Sequence, residues 1–505
     1  MRRMLAALLI LMMVLVSAAQ AEAPKAPDYI LEGFAGESST TDWETNLFFS
    51  RMQEKTGISF QFREYNGESG WSQRKTEIAR GEDLPDVLFS PELKQSEIRD
   101  MYDSGVLIDL RPYLETYAPD LWAQFEAHPE WLKDVVLPGG QIAALPEFNT
   151  MQNNDVMWIN TRWLKRVGLE IPGNAEELKQ VLVAFRDGDP NNNGQKDEIP
   201  LAFLGMWELR FLAHAFGIID NDYYISARSG KAESALTTDE NRAFLSWLHD
   251  LWTEKLLDPN GFRTVDTLRQ ITDEKKAVPY GVILSATPLT VLPASAMDQY
   301  ETLLPLEYQG ERIYRDLTGG VIRGTFAITS ACREPEKLIS WVNYLYTEEG
   351  SKLAQYGKEG EEYSWNDSGM WEWNEDLTTV AQEILPQHTI AGGSIPPGLA
   401  LEDFQLHYAE ESTRRTIEML ARVKEYAVLP FPLVTLSRED EAEIARIQKD
   451  LMGYAEQAMA AFVTGDVELN DDQWAVFCNT VREKGLNSAV GIWQKYLEKR
   501  SEAEP

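Results

Sequence analysis

The 505-residue chain carries 81 Asp and Glu against 47 Lys and Arg, a net charge of −34. Such a field repels nucleic acid and anionic membranes as broad-surface partners, though a local arginine cluster inside a cleft can still hold an anionic small ligand. Cys332 and Cys478 are the only cysteines, too few for a disulfide framework and more ordinary as small hydrophobes than as a pair.

Arg2-Arg3, the apolar run 4–16 and Ala19-Gln-Ala21 read as the basic region, apolar core and cleavage site of a secretory signal over residues 1–21. Its removal takes away Arg2 and Arg3 and moves the net charge from −34 to −36. An uncleaved signal anchor is the alternative. The first cysteine is Cys332, so no lipobox cysteine follows the apolar run. The expected product is a soluble, monomeric, periplasmic or secreted protein beginning near Glu22. A mature chain of about 480 residues exceeds one hydrophobic core and implies two lobes.

From residue 29 short apolar strands alternate with helices. Strands are expected at 29–31, 57–62, 84–89 and 155–159. Helices are expected at 42–55 (with Asp42 as N-cap), 71–80, 93–104, 110–117 and, behind Asn160-Thr161, 162–167. This alternation indicates an α/β fold with parallel pairing. Asn174-Ala-Glu-Glu177 is a capping box, followed by Leu178, Val181, Leu182 and Phe185 at helical spacing.

The stretch Asp189-Pro-Asn-Asn-Asn-Gly-Gln-Lys-Asp-Glu198 comes next. Asp189, Asn191 and Asn193 fill the first, third and fifth places of a calcium loop, and Gly194 takes the sixth, where the chain turns. Gln195 offers its backbone carbonyl and Asp197 its carboxylate. The twelfth place holds Pro200 instead of the bidentate Glu of an EF-hand, and Glu198 can supply that carboxylate. A Ca²⁺ ion here would join a helix end to the strand 199–203, which is a structural role. An Asx-rich turn without metal is the alternative. Beyond residue 237 the pattern turns helical, ending in amphipathic helices at 439–463, around 474–477 and at 490–497.

Nucleophile, phosphate and dinucleotide motifs are absent: no G-x-S-x-G, no P-loop, no G-x-G-x-x-G and no H-E-x-x-H. Five scattered histidines show no ligand spacing. Trp71, Phe148, Trp207, Tyr223, Tyr224, Tyr280, Trp365, Trp371 and Trp373 fall in irregular or junction segments with polar neighbours. Sugar rings stack their C–H faces on aromatics while their hydroxyls seek polar groups, so the set suggests a carbohydrate cleft. Trp207, Tyr280, Phe148, Asn149, Trp365, Trp71 and Arg210 are the candidate ligand contacts, with Arg210 suited to hydroxyls or a uronate carboxylate.

The order of Glu54-Lys-Thr-Gly-Ile58, Ala79-Arg-Gly-Glu-Asp-Leu-Pro-Asp86, Met157-Trp-Ile-Asn160, the Asp189 loop, Phe326-Ala-Ile-Thr329, Gly357-Lys-Glu-Gly-Glu-Glu-Tyr363 and Phe462-Val-Thr-Gly465 resembles the extracellular solute-binding proteins of carbohydrate ABC transporters, in the subgroup similar to alginate-oligosaccharide-binding proteins. The resemblance implies a two-lobed, periplasmic-binding-protein-like (type II) α/β fold with a helical C-terminal part. On this chain it suggests one lobe from 22–140 and 285–335 and another from 141–284 and 336–505. It also implies calcium on Asp189, Asn191, Asn193, Gln195, Asp197 and Glu198, a sugar or oligosaccharide ligand, a permease partner and no enzymatic turnover. Ala143 stands where many members have Tyr, which removes one aromatic platform or hands its place to Phe148. A secreted polysaccharide-active hydrolase or lyase, or a peptide-binding transport protein, remains the alternative.

Overall fold

The computed structural model describes residues 27–37, 39–151, 154–263, 278–391 and 393–502; the signal-like segment 1–21 lies outside them. Two sheets organise the chain. The first has six strands in the order Gly398–Leu399, Leu145–Phe148, Val321–Ile328, Val87–Phe89, Tyr29–Phe34 and Phe60–Tyr65. Tyr29–Phe34 is parallel to both its neighbours, the pairing that helix-containing crossovers produce. Val321–Ile328 is inserted antiparallel between Val87–Phe89 and Leu145–Phe148. The second sheet runs Tyr300–Thr302, Val156–Asn160, Tyr280–Ser285, Ile199–Ala202.

Each sheet has its own core, giving a two-lobed α/β fold. Leu31, Phe48, Phe89, Phe148, Phe326, Leu338 and Trp341 share the first. Met157, Leu182, Phe185, Leu201, Leu248, Ile447, Phe462 and Phe477 share the second. The partition differs from the expected one. Helix Pro335–Asn343 and the residues to Ile390 belong to the first lobe, with Trp341 packed edge-on against Phe60 at 5.2 Å. Tyr300–Thr302 pairs within the second sheet. The lobes exchange chain between Phe148 and Val156, between Arg315 and Val321, and between Tyr408 and Glu411. The reason is that Val321–Ile328 pairs with strands far away in sequence, which no local pattern records.

Local signals fared better. Asn174 caps helix Ala175–Asp187, accepting from Glu177 N at 2.9 Å, and Asn160 caps Thr161–Val167. The long helix Arg438–Thr464 ends at Gly465, whose φ of 80° is the left-handed conformation a helix stop favours. Asp42 is not a helix cap: its carboxylate closes a turn on Glu44 N, and the helix Leu47–Thr56 starts behind Asn46. Cys332 and Cys478 are both free and belong to different cores.

Candidate functional site

Three strands of the first sheet end at the face turned toward the second lobe. Because Val321–Ile328 is antiparallel, with Val321 opposite Phe148 and Phe326 opposite Phe89, its beginning lies at that same edge and brings Arg323 there. The loop that follows Val87–Phe89 is clamped to this strand by Ser90 N to Thr325 O (2.8 Å) and Leu93 N to Gly324 O (3.0 Å). Gly324 has φ 74°, and a Cβ there would sit 2.1 Å from the Leu93 carbonyl oxygen, so only glycine permits this approach. Trp71 supports the loop from behind, its indole N–H donating to Pro91 O at 2.9 Å. Helix Gln95–Asp103 starts directly after the loop.

A cavity of roughly 360 Å³ lies between the lobes. Lys94, Gln95, Ser96 and Arg323 line it from the first lobe, and Asp222 and Tyr223 from the second. The segment carrying Thr435 and Leu436 bridges its far side. Gln95 donates to Thr435 Oγ1 (2.7 Å), and Arg99 donates to Leu436 O (2.6 Å) while pairing with Glu441 (2.8 Å).

On the second lobe, the helical turns after strand Ile199–Ala202 present Trp207, which is 40% exposed. The Arg315 guanidinium lies 5.0 Å from the Trp207 ring and 4.8 Å from Phe211. It donates to the Asp220 carbonyl and approaches the Asp222 carboxylate at 3.5 Å, while its Nη1 is buried without an acceptor. Beside Trp207, the buried Glu208 carboxylate accepts from Leu204 N. Burial, reinforced by Asp155, pushes its pKa up to about 8, so it is largely protonated at neutral pH.

The model of the bacterial extracellular solute-binding protein family matches residues 37–352. The chain belongs to this family. Among curated relatives, the fructooligosaccharide ABC transporter substrate-binding protein FusA of Streptococcus pneumoniae is 26% identical, with 96% of this chain and 95% of FusA covered. A structure of the FusA EF-hand mutant with fructo-nystose has TM-score 0.71 at 23% identity, covering 94% and 99%. An HMO-binding solute-binding protein from Bifidobacterium longum infantis has TM-score 0.78 at 20% identity, covering 95% and 100%. The alginate-binding protein AlgQ2 without calcium ion has TM-score 0.65 at 19% identity, covering 93% and 97%.

In this solute-binding protein the residues expected at the ligand separate into two groups. Trp207 is exposed on the second lobe but does not itself line the cavity; Arg315, over its ring, connects it to Asp222, which does. Tyr280 is fully buried in the core of the second lobe, because the break before its strand sits inside the sheet rather than at a lobe crossing. Phe148 is buried and stacked on Trp131 at 4.7 Å. Trp71 is buried too. None of these three rings has a face for a ligand in this conformation, which corrects the expected stacking roles. Arg210 is also not a free contact: it is buried, ion-paired with Asp220 and covered by Tyr224 at 4.1 Å. Asn149 occupies a lobe crossing, its N–H donating to Gly320 O at 2.9 Å. Trp365 is 39% exposed, on a hairpin where it packs on Phe404 and His407 and does not line the cavity. Arg323, which lines the cavity, and Arg315, beside Asp222, were not among the expected contacts. Their only signal was an arginine inside an apolar, strand-forming run.

The Asp189 loop joins helix Ala175–Asp187 to strand Ile199–Ala202. The Asp189 carboxylate accepts from Asn193 N (3.1 Å) and Gly194 N (3.0 Å), and Asn191 Oδ1 accepts from Asn193 N (2.9 Å). The amide groups of Asn191 and Asn193 both donate to one oxygen of Asp197, at 3.0 and 2.9 Å. Both Glu198 oxygens are buried, and no hydrogen bond of good geometry reaches them. Burial raises the Glu198 pKa, with Asp197 and Asp189 adding to it, while the nearby amides of Glu198 and Asn191 pull the other way. Among the described residues no group of three or more His, Cys, Asp or Glu side chains is close enough to hold a metal by itself. A cation here would need the asparagine and backbone oxygens as well. The donor set, all hard oxygens with one orphaned carboxylate, has the chemistry of a Ca²⁺ site.

Proposed function

We propose that this solute-binding protein captures an oligosaccharide between its lobes and hands it, unaltered, to the permease of an ABC transporter. The observation that carries the reading is Trp207: a large indole held half-exposed on the second lobe, with Arg315 over its ring and Asp222, which lines the inter-lobe cavity, beside that arginine. An exposed, braced aromatic is the surface on which a sugar ring stacks, and the buried, unpaired Nη1 of Arg315 is a donor beside it. The names of FusA and the Bifidobacterium protein point to oligosaccharide ligands for those proteins. Ligand binding would shift an open–closed equilibrium about the three crossings. We place the protein outside the cytoplasm, exported by the segment 1–21 and acting as a monomer.

The same reading includes a structural Ca²⁺ held by Asp189, Asn191, Asn193, the Gln195 carbonyl, Asp197 and Glu198. The ion would offset the charges of Asp189, Asp197 and Glu198 and fix the helix end against the strand that leads to Trp207. The Asn191 and Asn193 amides would turn to present oxygen instead of nitrogen.

Thermal-shift screening of the mature protein against oligosaccharides and oligopeptides tests the function. A ligand that binds only the folded protein adds RT ln(1 + [L]/Kd) of stability. An upward shift with an oligosaccharide and none with peptides is expected; shifts confined to peptides would replace the reading.

A further inference from the structure

Arg323 is unusual in this acidic chain. It projects from the edge of a central strand into the inter-lobe cavity. Its Nη1 is sealed from solvent with no hydrogen-bond partner, and among the described residues no carboxylate comes within ion-pairing distance of it. Burial pulls its pKa down to about 10, against the attraction of the more distant Asp134, so it remains charged at neutral pH. The acidic groups near the cavity are already engaged by other arginines. Glu441 and Asp100 hold Arg99 at 2.8 and 2.7 Å, Asp222 faces Arg315, and Asp134 holds Arg500 at 2.8 Å. A guanidinium nitrogen sealed from water without a partner costs free energy that a bound anion would recover.

A second, independent feature faces the same space. Helix Gln95–Asp103 opens onto the cavity with Gln95 and Ser96 in its first turn, and its N-cap residue, Lys94, has no side-chain oxygen to accept from the first-turn N–H groups. Glu97 does not fill that role: its carboxylate turns back to the Lys94 N–H (2.8 Å) and toward Lys75 (3.6 Å). An uncapped helix start carries partial positive charge and outward-pointing donors, the arrangement that binds carboxylate, sulfate or phosphate groups. Lys94 adds a further ammonium at the rim.

We propose that the cavity between Arg323 and the start of helix Gln95–Asp103 is an anion subsite, and that the captured oligosaccharide bears an acidic group, a uronate carboxylate or a sulfate ester, which is read there. This rests on the oligosaccharide reading and goes beyond it by naming the ligand's charge. Trp207 and Arg315 would take a sugar ring on the second lobe, while Arg323 and the helix start take the acidic group on the first. Both lobes then hold the ligand, and the acidic group favours closure.

Calorimetry on the mature protein tests this with matched trisaccharide pairs: mannuronate, guluronate and galacturonate forms against their carboxyl-reduced counterparts, and sulfated galactans against desulfated ones. At least one acidic member is expected to bind about tenfold or more tightly than its neutral partner, with affinity falling as salt rises. The uronate and sulfate arms separate the two sources of charge. Arg323→Gln should abolish the preference, Arg323→Lys should retain part of it, and the exposed Lys94→Gln, which leaves the interior untouched, should lower it by a smaller factor. Neutral members binding as tightly as acidic ones, or an acidic preference that survives in a folded Arg323→Gln, overturns the subsite while leaving the oligosaccharide reading intact. Failure of every glycan, acidic and neutral, overturns both.

Discussion

Arg315 and Trp207 form one unit on the second lobe: the guanidinium sits 5.0 Å from the indole ring and is tied to the Asp220 carbonyl. The ring is thereby braced by Arg315 while the residue stays 40% exposed. Trp207→Ala should weaken oligosaccharide binding by about 1–3 kcal/mol, the worth of one aromatic stacking face. Arg315→Gln should weaken it as well, both through a lost donor and through a loosened ring. Calorimetry with a ligand found by screening checks both, and unchanged affinity in both variants would place the ligand away from this lobe.

How much of this was readable in advance depends on how local the cause is. The calcium-like loop, the Asn160 and Asn174 caps and the Gly465 stop are written in adjacent residues, and each sits where the pattern placed it. The lobe partition was misread because it depends on Val321–Ile328 slotting between strands that precede it by more than 170 residues. Tyr280 and Phe148 show the same limit at the site. An aromatic beside a turn looks available in sequence, yet burial is decided by what packs against it. Trp207 differs from them in that its helical turn leaves it exposed.

Tyr280→Ala separates these two cases. The ring is fully enclosed among Val156, Trp158 and Ile283, so its removal leaves a cavity that neighbouring side chains only partly fill. A loss of stability of about 3–5 kcal/mol is expected, with ligand affinity retained at temperatures where the variant stays folded. A variant of undiminished stability but lost affinity would return Tyr280 to the ligand.

For the Asp189 loop the expected readout is thermal. Chelator should lower the melting temperature of the mature protein, and added calcium should restore it, contributing up to about 4 kcal/mol of stability at a thousandfold excess over Kd. Glu198→Gln should lose most of this response, because it neutralises a buried loop carboxylate that no hydrogen bond of good geometry reaches. If the untreated protein contains no calcium by metal analysis and chelator leaves its melting curve unmoved, the loop is an Asx turn and nothing more.

The protonated carboxyl of Glu208 sets a pH dependence of defined sign. The group ionises near 4.5 in the unfolded chain and is pushed up to about 8 in the folded protein by burial first and Asp155 second. Between those values the folded protein keeps a proton that the unfolded chain releases, so stability falls as pH rises through this window. The contribution is fully present below about pH 4.5 and gone above about pH 8, at about 1.4 kcal/mol for each pH unit in between. Glu208→Gln keeps an oxygen to accept from Leu204 N but cannot ionise. Wild type and variant should therefore melt together near pH 5 and diverge as pH rises, the variant becoming the more stable at pH 8. Melting curves for both across this range decide the point, since other titrating groups are common to the two proteins and cancel in the difference. Parallel curves would mean that Glu208 is already ionised in the folded state, and that a cation or water reaches it beside Trp207.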